Sequence, residues 1–62
     1  MQAPTLMPTI EIIVRRRDGS TENHMVHTEQ HARSFCREEI KWESTARVIC
    51  SRIGFDETGD FA

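Results

Sequence analysis

TIEIIVRRRDGSTENHMVH, residues 9 to 27, decides how this chain folds. Ile10, Ile12 and Val14 alternate with Glu11, Ile13 and Arg15, the period-two pattern of a half-buried strand. Asp18-Gly19 follows, a dipeptide suited to the positive φ values of a two-residue type I′ hairpin. With those two residues as the loop, Arg17 faces Ser20, Arg15 faces Glu22, Ile13 faces His24, Ile12 faces Met25 and Ile10 faces His27. Cross-strand partners share a face. One face then collects Ile10, Ile12, Val14 and Met25, and the other Glu11, Arg15 and Glu22, with an Arg15–Glu22 pair of opposite charge. Ile13 and Val26 are left as diagonal apolar neighbours on the polar side.

Downstream, Thr28 is placed to cap a helix that Glu29 opens and that runs to about Trp42 or Glu43. Phe35, Ala32, Cys36 and Ile40 line its apolar face, with Trp42 at one margin. Arg33, Arg37 and Lys41 recur at i, i+4 and i+8 as a basic stripe on the outer side. Glu39 falls in the middle of the apolar arc, and we expect it to reach past the sheet edge or to pair with Arg47 or Arg52.

In TARVICSRIGF, residues 45 to 55, β-branched Val48 and Ile49 favour a strand, whereas Ala46, Ile49 and Ile53 followed by Gly54 favour a short helix. A lone hairpin cannot shield the apolar arc of a helix, so a third strand is expected. The right-handed crossover rule lays it beside the first. The fold class is therefore α+β: a small ββαβ domain, a three-stranded antiparallel sheet of order 2-1-3 with one helix packed on one face. Residues 1–8, which hold both prolines, are expected as a flexible lead-in, residues 9–55 as the single domain with Phe55 anchored, and residues 56–62 as a mobile acidic tail.

At 62 residues the chain is near the lower limit for an unaided hydrophobic core, so a partner or a second copy would add materially to its stability. Charged residues make up 29% and the net charge is −2. That composition is globular and lacks the overall basic excess that sequence-independent nucleic-acid binding uses. The start has no basic region followed by an apolar run, and no segment approaches membrane-spanning length. A cytoplasmic location is expected, with Cys36 and Cys50 as reduced apolar fillers.

Arg15, Arg16 and Arg17 grip a phosphate backbone only if they converge with Arg33, Arg37 and Lys41 into one surface. Adjacent strand residues point in opposite directions, and Glu22, Glu29 and Glu38 are interspersed with both groups, so a nucleic-acid-binding module is the rival reading. His24, His27, His31 and Cys36 are ligand types that a transition metal accepts, but H-x2-H-x3-H-x4-C fits no well-tested zinc spacing, and neither a metal nor a cofactor is assigned. Glu39 has the apolar setting of a general base without an accompanying nucleophile or phosphate-binding loop. A chain this short rarely encloses a substrate cavity, so neither an enzyme nor a small-molecule substrate is expected.

A sheet covered on one side leaves an open face and unpaired edges. On that face lie Ile13, Val26 and His24, with Trp42 at the helix margin. The expected function is a small non-enzymatic cytoplasmic interaction or regulatory module. It self-associates or binds a protein partner through this face or an edge strand, without membrane contact.

Overall fold

A computed structural model describes residues 9–61. The expected lead-in, residues 1–8, lies outside the described residues. Strands β1 (Ile10–Arg16) and β2 (Thr21–Val26) form the hairpin, followed by helix α1 (Glu29–Glu39), strand β3 (Thr45–Cys50), a 3-10 turn (Ser51–Ile53) and strand β4 (Phe55–Thr58). All neighbouring strands are antiparallel, in the order β2-β1-β3-β4.

The hairpin turns one residue away from the position expected from Asp18-Gly19. Arg16 N–H donates to Ser20 O (2.8 Å) and Gly19 N–H to Arg16 O (3.1 Å), which makes Arg17, Asp18 and Gly19 a three-residue loop. Gly19 alone takes a positive φ (91°) there, the arrangement of a turn ending in a left-handed residue. Asp18 Oδ1 accepts from Ser20 N–H (2.8 Å), a local bond that holds its backbone in the turn and is absent from a two-residue I′ loop. Ile10 now pairs with Val26, Ile12 with His24 and Val14 with Glu22.

A slip of one residue moves every side chain of a strand to the other face. Val26, expected outside, is buried with Ile10, Ile12 and Val14, whereas Met25, expected inside, is 57% exposed. The core is completed by Ala32 and Cys36 of α1 and by Val48 and Cys50 of β3, with Phe35, Ile40, Ile53 and Phe55 packed around it.

Thr28 caps α1 as expected, its Oγ1 accepting from His31 N–H (3.0 Å). The helix stops at Glu39, several residues early. Lys41 and Trp42 donate to Glu38 O and Glu39 O in tighter turns, and the Ile40 carbonyl accepts from Asp60 N–H at 2.8 Å. The chain then enters β3 through an irregularity opposite Arg15 and Arg16, so that Arg47 pairs with Arg15 but Thr45 with Arg16.

Residues 45–50 form a strand beside β1, in the place that the crossover rule assigned to it. The sheet has four strands rather than three. The helical features of residues 51–54 appear as the 3-10 turn and its Gly54 cap, which reverse the chain so that Phe55 pairs with Cys50 and Asp56 with Ile49. Asp56, Glu57 and Thr58 are thus strand residues, not tail. Gly59 beyond them is buried: its N–H donates to Ala46 O (2.9 Å), and an added Cβ would overlap the Thr45 carbonyl oxygen.

Two glycine substitutions separate these constraints. Gly19→Ala meets no neighbour and carries only the left-handed backbone penalty, about 1 kcal/mol. Gly59→Ala must displace backbone and is expected to cost roughly 2–3 kcal/mol in urea unfolding. Equal costs would show that the C-terminal segment is not seated against β3.

Candidate functional site

The three arginines at the hairpin diverge. Arg16 turns inward and its guanidinium is held from three sides: Nε and Nη2 donate to Glu22 Oε2 (3.0 Å) and Oε1 (2.9 Å), while Nη1 donates to Glu39 Oε1 (2.8 Å) and Thr45 Oγ1 (2.7 Å). Thr45 is fully buried and Glu39 is 7% exposed. The Trp42 ring lies beneath the guanidinium, 5.7 Å from Cζ to the ring centroid, within the range of a cation–π contact. The partner of Glu39 is therefore Arg16 of β1, neither Arg47 nor Arg52, and the partner of Glu22 is Arg16, not Arg15. The Glu22 pairing follows from the one-residue shift in the turn, which puts Glu22 on the inner face beside Arg16.

These bonds set the ionisation of the cluster. The Arg16 fork holds the Glu22 carboxyl near 2 rather than its ordinary 4.5, with His24 Nε2 (3.0 Å) as the second cause. Glu22 in turn is the largest influence raising Arg16. His24, on the inner face, also packs its ring against Phe35, with centroids 4.8 Å apart.

Among the described residues, three of the other seven Lys and Arg side chains have a carboxylate partner. Arg47 grips Asp56 in a bidentate pair (2.7 and 2.9 Å), which lowers the Asp56 carboxyl. Arg33 lies 3.8 Å from Glu29 and Lys41 4.0 Å from Glu38. Arg15 is on the outer sheet face, Arg17 in the hairpin loop and Arg37 on α1, so the cations of the rival nucleic-acid surface are spread over different sides of the domain.

The thiol of Cys36 is buried against the sheet and is pushed up to about 11, first by burial and then by Cys50 beside it. A thiol in that state carries no nucleophilic thiolate near neutral pH. His27 and His31 are exposed, and among the described residues no group of three or more His, Cys, Asp or Glu side chains is placed to share a metal ion. A groove of about 460 Å3 lies between α1 and β4, with Arg33 and Arg37 on one wall, Glu57 on the other and Ile40, Ile53 and Phe55 between them. Its opposed charges give it no strong preference for an ion of either sign.

The face of the sheet away from α1 is the remaining candidate. Its central row reads Asn23, Ile13, Ile49 and Asp56 across the four strands. Met25 projects beside Ile13 on the diagonal, 57% exposed, so that three apolar side chains make an oblique line across an uncovered surface. Glu11, which accepts a bond from Asn23 Nδ2 (2.9 Å), borders one end of that line and Arg15 the other. Of the residues expected at an interface, Ile13 stays on this face. Val26 and His24 lie inside, and Trp42, 53% exposed, stands beside the Arg16 cluster.

Ile49 and Met25 are the members of the face that sequence reasoning missed. A three-residue loop, which Gly preceded by Asp also permits, would have pointed to Met25. No family model, curated protein or solved structure matches the chain, so the geometry of its own residues carries the functional argument.

Two measurements test this account of the cluster. Arg16→Ala leaves the Glu39 carboxylate buried and unpaired and is expected to cost about 3 kcal/mol, whereas Arg15→Ala and Arg17→Ala stay within about 0.5 kcal/mol. Equal losses at all three positions in urea unfolding would contradict the assignment. The carboxyl of Glu22 is depressed in the folded state, so its contribution is complete above pH 4.5 and is lost as pH falls toward 2. Glu22→Gln is therefore expected to flatten the stability profile of the protein in that window, and an unchanged slope would refute the pairing.

Proposed function

We propose that the chain is a small non-enzymatic interaction module that binds a protein partner through the outer face of its sheet. One observation supports this most: α1 covers one face, while Met25, Ile13 and Ile49 stand together on the other with charged and polar neighbours around them. An apolar centre with a polar rim is the anatomy of a protein interface. The small core gains stability from any partner that binds only the folded form. The setting we propose is the cytoplasm, where the buried thiols of Cys36 and Cys50 stay reduced. Among the described residues no helix is long and apolar enough to cross a membrane.

The rival reading, nucleic-acid binding, has less support because Arg16 is consumed inside the domain and Arg33 and Lys41 lie beside Glu29 and Glu38. Binding through scattered phosphate contacts falls steeply with salt. Comparative capture from cell extract discriminates the two. Partners held by the wild-type chain should be lost with Ile13→Asp, retained with Arg37→Glu and little affected by moderate salt. Loss with Arg37→Glu alongside retention with Ile13→Asp would reverse the ranking.

A further inference from the structure

We infer that the occupant of the outer face is a second copy of this chain, laid face to face with its strands reversed about a two-fold axis through Ile13. This rests on the reading of that face as a protein interface and specifies the partner. The outer side of β1 presents Glu11, Ile13 and Arg15 in that order. These alternate residues are spaced by roughly 6.8 Å along the strand. The pattern runs from negative through apolar to positive and is antisymmetric about Ile13. Turning one copy end for end therefore sets Glu11 of each over Arg15 of the other and Ile13 over Ile13.

The neighbouring strands are consistent with the same axis. The row through Ile13 superposes on itself, placing Ile49 against Ile49 and Asn23 against Asn23. Asp56, at the end of that row, would meet its own kind, but its charge is already balanced by the bidentate Arg47. The row of Thr21, Arg15, Arg47 and Thr58 comes to lie over the row of Met25 and Glu11, so that the basic row faces the acidic one. Glu11 uses one carboxylate oxygen to accept from Asn23, which leaves the other for Arg15 of the second copy. No other ion pair of Arg15 occurs among the described residues. Isologous contacts of this kind close on themselves and do not polymerise.

Size sets the strength. Four strands about 4.8 Å apart and averaging about six residues give a footprint on the order of 370 Å2 per copy, below the roughly 800 Å2 per partner of a standard stable interface. The dimer is accordingly weak and dynamic, in the micromolar range or above.

Sedimentation of the purified chain from micromolar to millimolar concentration tests the proposal by charge exchange. The wild-type chain should pass from monomer to dimer. Glu11→Arg and Arg15→Glu, which each place like charges opposite one another twice in the dimer, should weaken association by about tenfold or more. The double variant carrying both substitutions should recover the wild-type constant to within about threefold. Circular dichroism melts should leave these surface variants folded.

A wild-type chain that stays monomeric at millimolar concentration overturns the inference. So does a dimer indifferent to Glu11→Arg, or a double variant that shows no recovery. A monomer whose captured partners are still lost with Ile13→Asp would refute only the self-pairing, because the interface reading survives that result.

Discussion

A guanidinium turned toward the core at the closed end of the hairpin organises this domain. Arg16 stands between Glu22 of β2, Glu39 of α1 and Thr45 of β3, and so ties four elements together in one charged cluster. Buried charges give little net stability compared with apolar packing, but a buried charge that loses its partner is expensive. The cluster therefore acts chiefly as a register lock. If β2 slipped by one residue, Glu22 would leave the inner face, and with the hairpin refolded around a two-residue loop the inward fork of Arg16 would lose its bidentate partner. Apolar side chains alone specify this less sharply, since β2 offers one large apolar side chain to either face, Val26 in the observed register and Met25 in the slipped one.

The same lock shapes the surface. By withdrawing the middle arginine of the triplet, it leaves Arg15 on the sheet face and Arg17 at the loop, where they do not converge on a phosphate. It also sends Met25 outward beside Ile13, which turns an otherwise polar face into one with an apolar centre. The irregularity that brings Thr45 to Arg16 shifts the alternation at the start of β3, while Ile49 keeps its place next to Ile13. Interior electrostatics and the candidate interface are thus two results of one register.

Much of the architecture was legible in the sequence because it follows from strong local patterns. The alternation of residues 10–15, the Thr28 cap and the apolar face of Ala32 and Cys36 gave the first strand and the helix. The crossover rule placed β3 beside β1. The loop length was not legible from Asp-Gly alone, since that pair serves two-residue and three-residue turns alike, and what separates them is whether Glu22 comes to the inner face beside Arg16. Arg16 and Glu39 are 23 residues apart in the sequence, and no local pattern joins them, which is why Arg47 or Arg52 was the expected partner. β4 was missed because an acidic edge strand of four residues has no apolar alternation. Its stability comes from pairing with β3 and from Gly59 lying against Thr45.

That Arg16 and Glu39 are directly coupled at the closed end of the hairpin is tested by a double-mutant cycle with Arg16→Met, Glu39→Met and the two combined, read by urea unfolding. Methionine keeps the volume of each side chain and removes its charge, so the cycle isolates the pair from the packing around it. The double variant is expected to be more stable than the sum of the single losses implies, by about 1.5–3 kcal/mol. Additivity to within about 0.5 kcal/mol would mean that the two side chains are neighbours without interacting, and would contradict the coupling.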